Sequence, residues 1–141
     1  MKVLVPTDGS EPAVRAAEFV GAMLPAEGAT FEVLVVLSYS LYPYREGSEE
    51  PKAREERERA TVDAVHAAAD ATVRGLRTFG HEAVVERRFG IASDEIAAEI
   101  LHWAPDLIVM GRRGVRGPAR WLGSVSEHVL HHAEVPVILV P

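Results

Sequence analysis

Two polar turns hold the residues with chemistry to do. One is Gly111-Arg112-Arg113-Gly114-Val115-Arg116-Gly117-Pro118, which leads to Gly123-Ser124-Val125-Ser126; the other is Thr7-Asp8-Gly9-Ser10. Gly111 and Gly114 allow the backbone to come close to a ligand and to take positive φ. Gly123-Ser124 opens a helix whose first N–H groups have no partner inside the helix and whose dipole favours an anion, most naturally a phosphate. Ser124 and Ser126 add hydroxyl donors beside them. Between Asp106 and Glu127 there is no acidic residue, while Arg112, Arg113, Arg116 and Arg120 give the segment +4, leaving −10 on the rest of a chain whose net charge is −6. The one strongly positive patch coincides with the one glycine-rich turn.

Other chemistries lack their residues. The only lysines are Lys2 and Lys52, against thirteen arginines, so no Gly-Lys-Ser or Gly-Lys-Thr phosphate loop exists. Gly9 stands alone after the first strand, without a dinucleotide fingerprint, and Asp8 has no acidic sequence neighbour before Glu11, as a phosphoacceptor cluster would need. With no cysteine, thiol nucleophiles, disulfides and Cys-based zinc sites are excluded. His128, His131 and His132 share one turn of the last helix, accompanied only by Glu127 and Glu134, which suits a helix surface better than a metal site. The acidic balance argues against general nucleic-acid affinity. The longest apolar runs, such as 33–37, are strand-sized, well short of the ~20 residues that span a membrane. Residues 1–20 do not read as a signal peptide. The expectation is a single domain over residues 1–141 of a cytoplasmic protein that meets neither membrane nor nucleic acid.

The elements that position the turns follow from periodicity. Residues 2–6 form a strand ending at Pro6, and Ser10 is placed to cap a helix with Pro12 in its first turn. Val14, Ala17, Val20, Met23 and Leu24 keep one helical face. A second strand covers 30–37, followed by a polar loop over 38–52 that carries Tyr39, Tyr42 and Tyr44. A long amphipathic helix over 53–79 has the stripe Val62, Val65, Ala69, Val73 and Leu76, with the charges of 54–59 on its solvated face. A third strand spans 82–89, a helix 93–103 turns Ile96, Ile100 and Leu101 inward, and 106–110 is the fourth strand. A last helix over 124–133 opens on a Ser124-Val-Ser-Glu127 capping box, and 135–140 is the fifth strand. Strands alternating with helices predict an α/β fold, a single open, mostly parallel five-stranded sheet with helices on both faces. Both polar turns then lie at strand carboxyl ends, where such sheets bind ligands, and form one site if strands one and four are neighbours.

These residues resemble the nucleotide-binding branch of the universal stress protein family. The likeness runs the whole length: Val-Leu-Val-Pro-Thr-Asp-Gly-Ser, Asp-Leu-Ile-Val-Met-Gly-Arg-Arg-Gly, Leu-Gly-Ser-Val-Ser-Glu-His-Val-Leu and Val-Pro-Val-Ile-Leu-Val occur in the family's order. The resemblance implies a Rossmann-like sheet in strand order 3-2-1-4-5. It implies ATP with Mg²⁺, a regulatory role in which occupancy switches conformation or binding of a protein partner, and a homodimer through the strand Val135–Val140. Asp8 and its turn would face adenine and ribose, and Val36 would hold adenine through its backbone. Gly111, Gly114, Gly123, Ser124, Ser126 and the backbone of Val125 would hold phosphates. The nucleotide-binding set is then Pro6, Thr7, Asp8, Gly9, Ser10, Val36, Met110, Gly111, Arg113, Gly114, Gly123, Ser124, Val125 and Ser126. The family spaces its second glycine nine residues from the Gly-Ser end; here Val115 to Leu122 is eight. At about 3.3 Å per extended residue eight still exceed what a phosphate cradle requires, and Pro118 disfavours helix. A rearranged outer loop with preserved glycine ends is expected. Two alternatives stay open: a slow ATPase or phosphotransferase with Ser124 or Ser126 as acceptor and His128 as base, and an interaction module that the shorter loop has deprived of ATP.

Overall fold

A computed structural model describes residues 1–38, 51–113 and 122–141. The tyrosine-bearing loop, and Gly114 with Arg116, Gly117, Pro118 and Arg120, lie outside them. In chain order the elements are β1 (Lys2–Thr7), α1 (Glu11–Met23), β2 (Thr30–Ser38), α2 (Pro51–Arg77), β3 (Ala83–Gly90), α3 (Ala92–Trp103), β4 (Leu107–Gly111), α4 (Ser124–His132) and β5 (Val137–Val140). The sheet is parallel throughout, in the order β3-β2-β1-β4-β5. Alternation along β1 divides the core. Val3 and Val5 join Ala16, Ala17 and Val20 of α1 and Ala69, Val73 and Leu76 of α2 on one face. Leu4 joins Ile96 of α3, Val129 of α4 and Met110 on the other.

The two central strands part early, and the cause is one residue. The Met1 carbonyl accepts from Thr30 N–H and the Lys2 carbonyl from Asp106 N–H, both at 2.8 Å, so odd backbone positions of β1 face β2 and even ones face β4. Position 6 faces β4, and Pro6 has no N–H to give. The β1–β4 register stops at Leu4↔Ile108 after two pairs, while β1 pairs with β2 over all six residues, from Lys2 to Thr7. A proline inside a central strand is tolerated where the sheet opens.

Several local expectations change. Ser10 sits at the N-cap of α1, but its side chain makes no capping bond; Pro12 offers no N–H, and Asp8 Oδ1 instead accepts Ser10 N–H at 3.0 Å. The capping box of α4 does not form, because the N-cap is Gly123 and Ser124 is already the first helical residue. On α3, Ile96 and Ile100 pack inward as expected, but Glu99, 1 % exposed, is buried with them while Leu101 is 85 % exposed. The α2 stripe is buried only from Ala68 onward, with Val62 42 % exposed.

Glu99 is tolerated inside because β3 supplies a cation. Arg88 pairs with it, and reaches Glu86 at 3.7 Å and Glu95 at 3.9 Å. Glu32 of β2, 6 % exposed, shares this neighbourhood. Burial, then the charges of Glu99 and Glu86 and a hydrogen bond with Glu99, push its carboxyl from 4.5 up to about 7, with Arg88 opposing. A carboxyl whose folded value is raised stabilises the fold fully below about 4.5, and that contribution is lost as pH rises through about 7. The protein is therefore expected to lose on the order of 1–2 kcal/mol between about pH 5.5 and pH 8. Glu32→Gln should flatten that slope in urea unfolding; an unchanged slope in the variant refutes the assignment. For the parted strands, Pro6→Ala should give a slowly exchanging amide at position 6 in native-state hydrogen exchange, and a freely exchanging one would mean that proline is not what separates β1 from β4.

Candidate functional site

The turn after β1 is held by its own short side chains. Thr7 Oγ1 accepts Gly9 N–H at 3.1 Å, and the Asp8 carboxylate accepts Ser10 N–H, a turn that delivers the chain into α1. Gly9 has φ +76°, and a Cβ there would lie 2.7 Å from the Ala68 Cβ of α2. The β1–β2 register pairs Thr7 with Val35, which brings Val36 alongside Asp8. The side chain of Val36 packs on the α3/α4 face.

Across the opening, β4 ends on buried Gly111. A Cβ at Gly111 would stand 2.8 Å from Ala13 N and from the Pro12 carbonyl carbon. The glycine makes room for the first turn of α1, a closer reason for its type than approach to a ligand. The Gly111 carbonyl accepts the Ser126 hydroxyl at 2.9 Å, with Ser126 buried. That hydroxyl hydrogen ties α4 to β4. Arg112 N–H donates to Val140 at 2.7 Å, and the Arg112 carbonyl accepts Gly123 N–H at 3.0 Å. The end of β4 and the start of α4 are thereby joined through backbone groups. Gly111 thus joins the N-termini of α1 and α4, and both open toward the parted strands.

Three donors at this edge are left unsatisfied by the described residues. The Ser10 hydroxyl and the Nε groups of Arg112 and Arg113 are buried and have no hydrogen-bond partner among the described residues. Ser124 is exposed at the first turn of α4, whereas Val125 and Met110 pack into the α3/α4 face. Thr7 turns its hydroxyl toward α2, meeting Thr72 at 2.7 Å, so its backbone, with that of Pro6, is what faces the edge. His128 lines a groove of about 390 Å³ between α3 and α4, its ring stacked on His132 at 4.2 Å. Thr72 and Ala68 escaped the sequence reading; a threonine on an otherwise apolar helix stripe was the available signal.

A parallel sheet in this order, with glycine-bearing turns at the carboxyl ends of its two central strands, defines a Rossmann-like α/β protein. Residues 1–141 match the sequence profile described as the universal stress protein family, and the chain belongs to that family. It is 50 % identical over 40 residues to universal stress protein Sll1388 of Synechocystis, a match that spans 28 % of this chain and 26 % of that relative's length. Universal stress protein UspA from Lactobacillus plantarum has the same fold, with a TM-score of 0.76 and 24 % identity over 100 % of this chain and 97 % of its own. So does a universal stress protein in complex with cAMP, at 0.68 and 23 % identity over 100 % and 97 %. An Arabidopsis thaliana family protein with AMP bound gives 0.68 and 18 % over 99 % and 90 %.

Gly9→Ala and Gly111→Ala are each expected to lower stability by about 2 kcal/mol or more, since the new methyl meets backbone in both places. Urea midpoints measure this, and near-wild-type values would show that the turn and the start of α1 are looser than described.

Proposed function

We propose that the chain binds an adenine nucleotide, ATP, in the crevice where β1 and β4 part. Adenine and ribose lie by Asp8 and the backbone of Val36, and the phosphates lie on Gly114, Gly123, Ser124 and the first N–H groups of α4. The observation that carries this reading is the trio of buried donors without partners among the described residues, Ser10 Oγ, Arg112 Nε and Arg113 Nε, beside two helix N-termini. An anion satisfies such donors and the positive ends of the helices together. AMP and cAMP in two similar structures favour an adenine ligand. Mg²⁺ would enter with a triphosphate, coordinated largely by phosphate oxygens and water. In that case Gly123 and Ser124 would take the terminal phosphates and Asp8 the sugar side, while Gly9, Gly111 and Ser126 keep the cradle in shape.

The role is regulatory. A nucleotide that bridges the β1 turn and α4 stabilises that arrangement by mass action, so occupancy sets a conformational or partner-binding equilibrium in a cytoplasmic stress response. Pairing of β5 with its counterpart in a second copy gives a homodimer and covers a strand edge that would otherwise stay open. His128 faces the α3–α4 groove, an orientation that gives hydrolysis at Ser124 no support.

Denaturing the purified protein should release adenine nucleotide, and adding ATP with Mg²⁺ to stripped protein should raise its melting temperature by several degrees, as binding well above Kd stabilises by roughly 3 kcal/mol. Gly123→Val should abolish that shift. Nucleotide-free protein with no thermal response would eliminate the reading, as would full binding by the variant. Light scattering should give twice 15.3 kDa, and a monomer mass would remove the dimer.

A further inference from the structure

The β1 turn is wired to α2 by a hydrogen-bond chain with one direction. Gly9 N–H donates to Thr7 Oγ1 at 3.1 Å, Thr7 Oγ1 and Thr72 Oγ1 are 2.7 Å apart, and Thr72 Oγ1 donates to the Ala68 carbonyl at 2.9 Å. Each hydroxyl has one hydrogen. Only one assignment uses both: Thr72 gives its hydrogen to Ala68, Thr7 gives its own to Thr72, and the lone pairs of Thr7 receive Gly9. Thr72 is fully buried and Thr7 nearly so, which leaves water no place to substitute. A second contact acts on the same residue, because Ala68 fills the space where Gly9 lacks a Cβ. Gly9, at φ +76°, lies between Asp8 and Ser10, which are bonded to each other across it.

We propose that Thr72 is a positioning residue for the nucleotide site, acting through Thr7 to hold the Gly9 peptide and so the Asp8–Ser10 turn in binding geometry. Its partner is the β1 turn, never the ligand. The inference rests on the nucleotide reading above and adds a dependence on α2: the seat of that helix, Ala68 to Thr72, sets how well the turn is preformed. By reciprocity, a nucleotide on the turn tightens the seat of α2.

The test compares three variants on one helix by ATP titration calorimetry, with amide exchange at Gly9 in nucleotide-free protein. Thr72→Val keeps the shape and removes the link; ATP affinity should fall on the order of fivefold and Gly9 exchange should accelerate. Thr72→Ser restores the hydroxyl and should bind within about twofold of wild type. Val73→Ala, a core truncation one residue away, should lower the melting temperature while leaving ATP affinity intact. Wild-type affinity in Thr72→Val, or an equal loss in Val73→Ala, overturns the proposal. If the wild-type protein binds no ATP, the nucleotide reading falls by itself. Gly9 exchange then decides the link: acceleration in Thr72→Val upholds it, and no change overturns it.

Discussion

A missing N–H in the middle of the sheet is the constraint on which the rest turns. Pro6 faces β4 and cannot donate to it, so the ladder that joins the halves of the sheet ends after Leu4↔Ile108. The loss of one backbone bond costs about 1 kcal/mol. The core below the split offsets it, with Val3, Leu4 and Val5 fully buried and shared between both faces. Above the split, β1 and β4 lead into turns of their own, and the helices that follow them start at a common edge. Without the parting, the N-termini of α1 and α4 would have a paired sheet edge between them instead of a crevice.

What holds that edge in shape is close backbone packing. Gly111 admits the first turn of α1 on one side and binds Ser126 of α4 on the other. Gly9 admits Ala68 of α2. Arg15 of α1 reaches the Pro141 carbonyl at 2.9 Å, so α1 contacts both β4 and the chain's last residue. Because the contacts of Gly9 and Gly111 are of backbone with backbone or with short side chains, few rotamers are frozen to make them, and those turns are largely preformed.

Periodicity and turn chemistry made most of the fold legible. The nine elements, their order and the two faces follow from apolar runs and from Pro, Gly and Ser at their ends. Side-chain bookkeeping at the boundaries was less legible. Ser124-Val-Ser-Glu127 satisfies a capping-box pattern, yet Gly123 takes the cap because its carbonyl accepts Glu127 N–H and its own N–H is claimed by Arg112. Leu101 was expected inside and is exposed, while Glu99 is buried, because Arg88 on the preceding strand supplies the cation that a buried carboxylate needs, and apolar periodicity does not register such a pair. The glycines of the site were legible as special, but their reasons were tertiary: what each one clears is a helix that pattern alone does not locate. Thr72 was invisible for the same reason, its partner being 65 residues away.

The bond from Gly123 N–H to the Arg112 carbonyl has an evolutionary consequence. It fastens the start of α4 to the end of β4 through main-chain groups alone, and the entropy of closing the chain between those two points varies slowly with its length. Substitution at Arg112 therefore leaves the anchor in place, because the acceptor is a main-chain carbonyl, and sequence can drift there without renegotiating the start of α4.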